Sequence, residues 1–247
     1  MEKQEFFRIA EDVFANNGLS EFWQGENRDL LYDLCGIMLE QNKVMNLSAI
    51  RDEEGVICRH FADSLTVAKH IPEGARILDV GSGGGMPTLP LAIVRPDVKI
   101  TALDATAKKT AYILSTAEKL GLTNVSVISA RAEELGTTPE HREKYDVVCA
   151  RAVAELRILA EWCVPFVKKG GLFIAMKGKN GANELADAKN AVKALLIAQE
   201  KDDNFSLYDP SARDAADASR HIFVFRKTAS TPAKYPRKNA QIQKKPL

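Results

Sequence analysis

The sequence predicts an α/β fold: a seven-stranded, mostly parallel twisted sheet with helices on both faces, preceded by a helical extension. Three observations predict it. Five short apolar runs alternate with helix-length stretches: RILDV (76–80), VKITALD (98–104), VSVIS (125–129), YDVVCAR (145–151) and GLFIAMK (171–177). Four of the five are rich in β-branched residues, and strand–helix alternation of this kind implies parallel strands covered on both faces. A glycine-dense turn follows the first run directly, and before position 72 apolar residues recur at helical spacing.

The elements follow in order. Phe6, Phe7, Ala10, Val13 and Phe14 mark a first helix, which Asn16-Asn17-Gly18 stops. Leu30, Leu31, Leu34, Ile37, Met38 and Val44 mark a second. Val56, Ile57, Phe61, Leu65 and Ala68 mark a third, before Ile71-Pro72-Glu73-Gly74 breaks the chain. Helices are expected over 107–120, closed by Gly121, over 153–168, closed by Gly170-Gly171, and over 183–199. Two further strands, 205–208 and 221–226, complete the sheet. The organisation is a helical extension packed on the core (1–72), a central domain (73–227) and a C-terminal segment (228–247). That last segment, with three prolines and no amphipathic period, reads as an extended basic tail.

Composition narrows the class. A chain of 247 residues, 45% hydrophobic and 27% charged, is neither disordered nor collagen-like. Apolar runs do not much exceed 89–94, far from the ~20 residues of a membrane helix. The start, MEKQEFFRIAED, turns acidic at once and lacks a signal-peptide core. Cys35, Cys58, Cys149 and Cys163 form no C-x-x-C pair, which argues against a disulfide scaffold or a metal site. The expectation is a cytoplasmic monomer with reduced, buried cysteines and no bound metal.

A net charge of +1 hides an asymmetry. Residues 1–75 carry fourteen acids against seven bases, while 226–247 carry seven bases and no acid. The acidic end reads as a solvated surface. The basic end reopens the question of a polyanion partner.

The glycine turn is the informative segment. A phosphate loop needs Gly-Lys-Ser/Thr after the turn, and Gly85-Met86-Pro87 offers none of it. A dinucleotide fingerprint read from Gly81 reaches Met86 where its third glycine belongs. What fits is Asp79-x-Gly81-x-Gly83-x-Gly85, which resembles the first motif of class I S-adenosylmethionine methyltransferases. Asp104 ends the second strand, where an acid can accept from both ribose hydroxyls. Ala132 and Glu133 follow the third strand, and Arg151 ends the fourth. Four such features at four successive strand ends point to S-adenosylmethionine.

Some methyl-transfer chemistries drop out. The stretch Cys149-Ala150-Arg151-Ala152-Val153 has none of the Asn/Asp-Pro-Pro-Tyr/Phe motif used on ring-conjugated amines. Cys149 and Cys163 read as inert core thiols rather than nucleophiles. No histidine is well placed as a general base, and His60 reads first as a helix-surface or core residue.

The match then becomes closer than a fold. It runs through Asn42–Ile50 and His60-Phe61-Ala62-Asp63-Ser64-Leu65, then the glycine loop with Pro87 and Lys108-Lys109. Arg131-Ala132-Glu133, Ala150-Arg151-Ala152, Lys177-Gly178 and Tyr235-Pro236-Arg237-Lys238 … Lys245-Pro246-Leu247 follow. Over about residues 30–247 the chain resembles the glucose-inhibited division protein B (RsmG) family, bacterial methyltransferases of guanine N7 in 16S ribosomal RNA.

The resemblance implies cofactor contacts at Gly81, Met86, Ala132, Glu133 and Arg151, the last also positioning, with no acid–base residue; the glycine motif and the end of the second strand add Gly83 and Asp104. With RNA as the implied substrate, naked rRNA or an assembled small subunit, the basic tail is expected to supply phosphate contacts at Lys234, Arg237, Lys238, Lys244 and Lys245. Two departures stand out: Thr88 where the family usually has Gly, and Asp104 where it often has Glu. Thr88 is expected to weaken cofactor affinity. It is the one feature that favours a second reading, a cofactor-responsive RNA-binding or ribosome-assembly factor without turnover.

Overall fold

The computed structural model describes residues 1–211 and 218–247. The apolar runs form one seven-stranded sheet in the order β3-β2-β1-β4-β5-β7-β6. β1 (Arg76–Val80), β2 (Lys99–Asp104), β3 (Val125–Ser129), β4 (Tyr145–Arg151) and β5 (Val167–Lys177) pair in parallel. β7 (Ser219–Lys227) runs antiparallel between β5 and β6 (Ile197–Ser206). Strand order reverses at β1, which has β2 on one side and β4 on the other. In open α/β sheets ligands gather at the carboxyl ends of the strands beside such a reversal.

Period-two alternation builds two cores. Ile77, Ile100, Cys149 and Ile174 belong to the core that also takes in the N-terminal helices α1 (Lys3–Asn16) and α2 (Glu26–Met45). Leu78, Val80, Val148 and Phe173 face the other layer. α2 buries Leu31, Leu34, Cys35 and Met38 and ends at Asn46, whose φ of 49° is a left-handed stop that Asn tolerates. Val44, expected on that apolar face, is 75% exposed because it lies in the last turn, beyond the packed stripe.

The third helix, α3, runs through Glu53–Gly55, Val56–Ala62 and Asp63–Leu65, and its middle has π geometry. Asp52 caps it by accepting the Gly55 N–H at 2.7 Å. Such widened turns recur at functional sites, and this one carries His60, with Asp63 just beyond it. The remaining helices are α4 (Thr88–Val94), α5 (Ala107–Lys119), α6 (Ala132–Leu135), α7 (Leu156–Cys163), α8 (Gly181–Asp187), α9 (Lys189–Ala194) and α10 (Asn239–Lys244). Among the described residues no helix is long and apolar enough to cross a membrane.

Two expectations are corrected. The helix over 183–199 breaks into α8 and α9, and from Ile197 the chain is already strand β6. β6 is an edge strand with a largely exposed, charged sequence, IAQEKDDNFS, so it lacks the apolar alternation that marks a strand. Charge on an open edge discourages pairing with other chains.

The C-terminal segment, in turn, is not an extended tail. Tyr235 and Ile242 are buried, and the Arg142 guanidinium donates to the carbonyls of Thr231 (2.8 Å) and Tyr235 (2.9 Å). Lys227, wholly buried, donates to the carbonyls of Val164 and Val167 and pairs with Glu143. The strap is held by the half-buried Arg142 guanidinium on its carbonyls and by buried Tyr235 and Ile242, so no amphipathic period is needed.

Candidate active site

The glycine loop leaves β1 and folds against β2. Gly81 and Ser82 N–H both donate to the Leu103 carbonyl, at 2.7 and 3.1 Å. Gly81 and Gly85 have φ of +73° and +83°. A Cβ on Gly81 would lie 2.8 Å from Val153, and one on Gly85 would lie 2.6 Å from Leu89. Both positions therefore need glycine for conformation and for space. Gly83 N–H donates to Asp104 Oδ2 at 3.0 Å, and Thr106 N–H to Oδ1 at 2.8 Å, so Asp104 fixes the loop while keeping further acceptor capacity.

Gly81, Asp104, Ala132 and Glu133 line one pocket of about 200 Å³ at the carboxyl ends of β1, β2 and β3. Trp162 and Asn239 complete its wall. Met86 lies buried at the far side of the loop, its sulfur 3.9 Å from Ser64 Oγ.

Asp79 sits beneath the loop, fully buried. Thr88 Oγ1 donates to its Oδ2 at 2.7 Å, and burial pushes its carboxyl up from 3.8 to about 6. The hydroxyl of Thr88 is therefore spent on a carboxylate under the loop. Because the folded state holds this proton more tightly than the unfolded chain, Asp79 makes stability fall as pH rises from about 4 to about 6. Thr88→Val is expected to cost about 1–3 kcal/mol at pH 8, where the carboxylate needs its donor, and less at pH 4.5. Urea unfolding at the two pH values measures the difference.

Arg151, at the end of β4, is tied to α3. Its Nη1 donates to the Arg59 carbonyl (3.0 Å) and to Asp63 Oδ2 (3.1 Å), and its Nη2 lies 3.2 Å from His60 Nδ1. A guanidinium only donates, so Nδ1 accepts and the imidazole proton sits on Nε2, which donates to Ser48 Oγ at 2.7 Å. Burial, with Arg151 adding to it, lowers the His60 pKa to about 3. His60 is thereby neutral, with its lone pair engaged. Asp63 Oδ1 also accepts Arg220 Nε at 2.9 Å, so one carboxylate bridges two guanidiniums.

This cluster forms a wall of a second cleft of about 410 Å³, lined by Asp63, Arg151, Val153, Lys177, Glu184 and Arg220 among others. Lys177 Nζ pairs with Glu184 at 2.6 Å, and Glu184 also accepts the Leu156 N–H at 2.8 Å. Val153 lines both cavities, so the loop after β4 separates them and joins them. Of the sequence-predicted cofactor residues, four share the first pocket, Gly83 and Met86 belong to its loop, and Arg151 stands on the second cleft.

Sequence reasoning missed Asp63, Arg220 and Glu184 as site residues. His60–Leu65 and Lys177-Gly178 carried a signal as matched stretches, whereas Arg220 and Glu184 carried none. Of the basic C-terminal residues, Lys234, Lys238, Lys244 and Lys245 are exposed. Arg237 is instead bound to the wholly buried Glu161, with Nη2 2.6 Å from Oε2. Cys149 and Cys163 are fully buried, and burial raises both thiols well above their ordinary value.

Residues 27–207 match the model of the GidB family, described as rRNA small subunit methyltransferase G. The chain belongs to this family. The ribosomal RNA small subunit methyltransferase G of Acetivibrio thermocellus is 41% identical over 223 residues, covering 90% of this chain and 89% of the relative. Its counterpart in Pelotomaculum thermopropionicum is 43% identical over 213 residues, covering 85% and 87%.

Solved structures extend the fold beyond the GidB family. A SAM-dependent methyltransferase from Methanosarcina mazei superposes with TM-score 0.52 at 13% identity, over 66% of this chain and 96% of that one. The [4+2]-cyclase SpnF superposes equally well, at 0.52 and 19% identity, over 68% and 82%. Likeness at this level establishes the fold alone, since the two names carry different chemistries.

Proposed function

We propose that the chain transfers a methyl group from S-adenosylmethionine to N7 of a guanosine in 16S ribosomal RNA. The observation that carries the reading is the pair of cavities sharing Val153: a glycine-loop pocket for a nucleoside cofactor and, beside it, a polar cleft at the ends of β4 and β5. The pocket suits the cofactor. Gly81 and Gly83 keep the loop bare of side chains, and Asp104 has lone pairs left for ribose hydroxyls.

S-Adenosylmethionine, when bound, supplies a methyl group on a sulfonium sulfur. Guanine N7 carries a lone pair and no proton, so the protein needs to align and to exclude water rather than remove a proton. The cleft agrees, since its histidine neighbour His60 is neutral and occupied. Arg151 and Arg220, locked on Asp63, hold the cleft wall in one arrangement. N7 lies in the deep groove of A-form RNA, so the target is best presented from a loop or as a flipped base.

Exposed Lys234, Lys238, Lys244 and Lys245 are the phosphate-contact candidates. Replacing all four by Ala is expected to weaken RNA binding and flatten its log–log salt dependence by roughly 3 units, with cofactor affinity unchanged. Filter binding across a salt series reads it. The turnover-free alternative rested on Thr88, whose hydroxyl is engaged with Asp79 below the loop. S-Adenosylhomocysteine accumulating when RNA is added to enzyme and cofactor supports methyl transfer, and its absence favours the binding factor.

A further inference from the structure

The cleft at the ends of β4 and β5 has two carboxylates among its described lining residues, Asp63 and Glu184. Asp63 is spent, with one oxygen on Arg151 and the other on Arg220. Glu184 is not. Its Oε2 alone meets what the fold asks of it, accepting from Lys177 Nζ at 2.6 Å and from the Leu156 N–H at 2.8 Å. Oε1 accepts nothing from the described residues. It is no enclosed orphan either, because the side chain is 23% exposed and lines the cleft. The carboxylate is also held in place. Lys177, on β5, donates in addition to the Ala154 carbonyl in the loop after β4, and Leu156 opens α7. Three elements thus fix one charged group of α8 and leave it an oxygen for a ligand.

We infer that Glu184 reads the N1–H and 2-amino edge of the target guanine, and so selects the base. The inference rests on reading the cleft as the site of the methyl acceptor. A carboxylate only accepts and this edge of guanine only donates, so the two are complementary. Adenine sets its unprotonated N1 against the same oxygen, acceptor against acceptor, and is refused. Holding guanine there leaves N7, in the other ring, free to react, whereas a guanidinium forked onto O6 and N7 would cover it. The contact also strengthens during the reaction. The N7 lone pair forms the new C–N bond as the C–S electron pair returns to sulfur, so the purine takes up the positive charge that sulfur gives up. A fixed carboxylate at N1–H meets that charge as it develops, and therefore acts on the rate as well as on binding. Val153, 36% exposed and shared with the glycine-loop pocket, offers the base apolar contact.

The test turns on Glu184→Gln. Lys177 Nζ and the Leu156 N–H are both donors, so the new amide turns its oxygen to them and its NH2 to the cleft. Donor then meets donor at guanine, while adenine N1 finds a partner. Equilibrium dialysis of labelled GMP and AMP against the full chain, saturated with S-adenosylhomocysteine, reads the choice. The wild type is expected to prefer GMP about tenfold, and the variant to lose that preference or to favour AMP. Single-turnover methyl transfer to small ribosomal subunits from cells lacking the protein is expected to fall about 30-fold in the variant. A purely structural role for Glu184 would instead weaken both nucleotides equally. A GMP preference that survives in the variant, an equal loss for both nucleotides, or wild-type turnover overturns the inference and leaves the reaction intact. So does a wild type that holds GMP no better than AMP yet forms 7-methylguanosine. A wild type that forms no 7-methylguanosine overturns the reading of the reaction itself.

Discussion

A chain ending at Thr228 is expected to lose about 3–5 kcal/mol of stability, and with it most of its folded population at 37 °C. The reason is Glu161, which is wholly buried and satisfied by Arg237 alone among the cations of the strap. Removing the strap leaves that carboxylate buried and unpaired, and also uncovers the core against which Tyr235 and Leu247 pack. Arg237→Ala isolates the first effect and is expected to reproduce most of the loss. Urea unfolding of the two variants measures both. If the shortened chain unfolds at the same urea concentration as the full one, the strap is an appendage after all.

Asp63→Ala carries the second large effect. It strips the carboxylate that accepts from both Arg151 Nη1 and Arg220 Nε, each at about 3 Å. The stability cost is expected near 3 kcal/mol, at the lower end for a buried pair because both arginines retain carbonyl acceptors. Methyl transfer is expected to drop on the order of 100-fold, since Arg151 then no longer fixes the loop between the two cavities. Cofactor affinity should change far less, because no glycine-loop contact involves Asp63. Single-turnover rates beside calorimetric binding separate the two. A rate close to the wild type in a folded variant removes Arg151 and its cluster from the mechanism.

Sequence and structure agree where information is local. The five apolar runs, the glycine turn and Asp104 announce themselves because strand alternation, positive φ and a strand-end carboxylate are each written within a few consecutive residues. Only the end of β6 was legible, as 205–208, for the converse reason: its partner β7 supplies the packing, and its own residues are those of a solvated edge. The strap escaped because its anchors, Arg142 and Glu161, lie 76–93 residues away in the chain. The cluster around Asp63 is assembled from α3, β4 and β7, with Asp63 and Arg220 separated by 157 positions. Charge alone told nothing of which bases face solvent; Arg237 and Lys227 are structural, and the exposed lysines are not.

The most direct measurement is methyl transfer from labelled S-adenosylmethionine to small ribosomal subunits isolated from cells that lack this protein, followed by nucleoside analysis. Label recovered as 7-methylguanosine at a single site is the expected result. No label in the RNA, from a preparation that binds the cofactor, would contradict the proposed reaction.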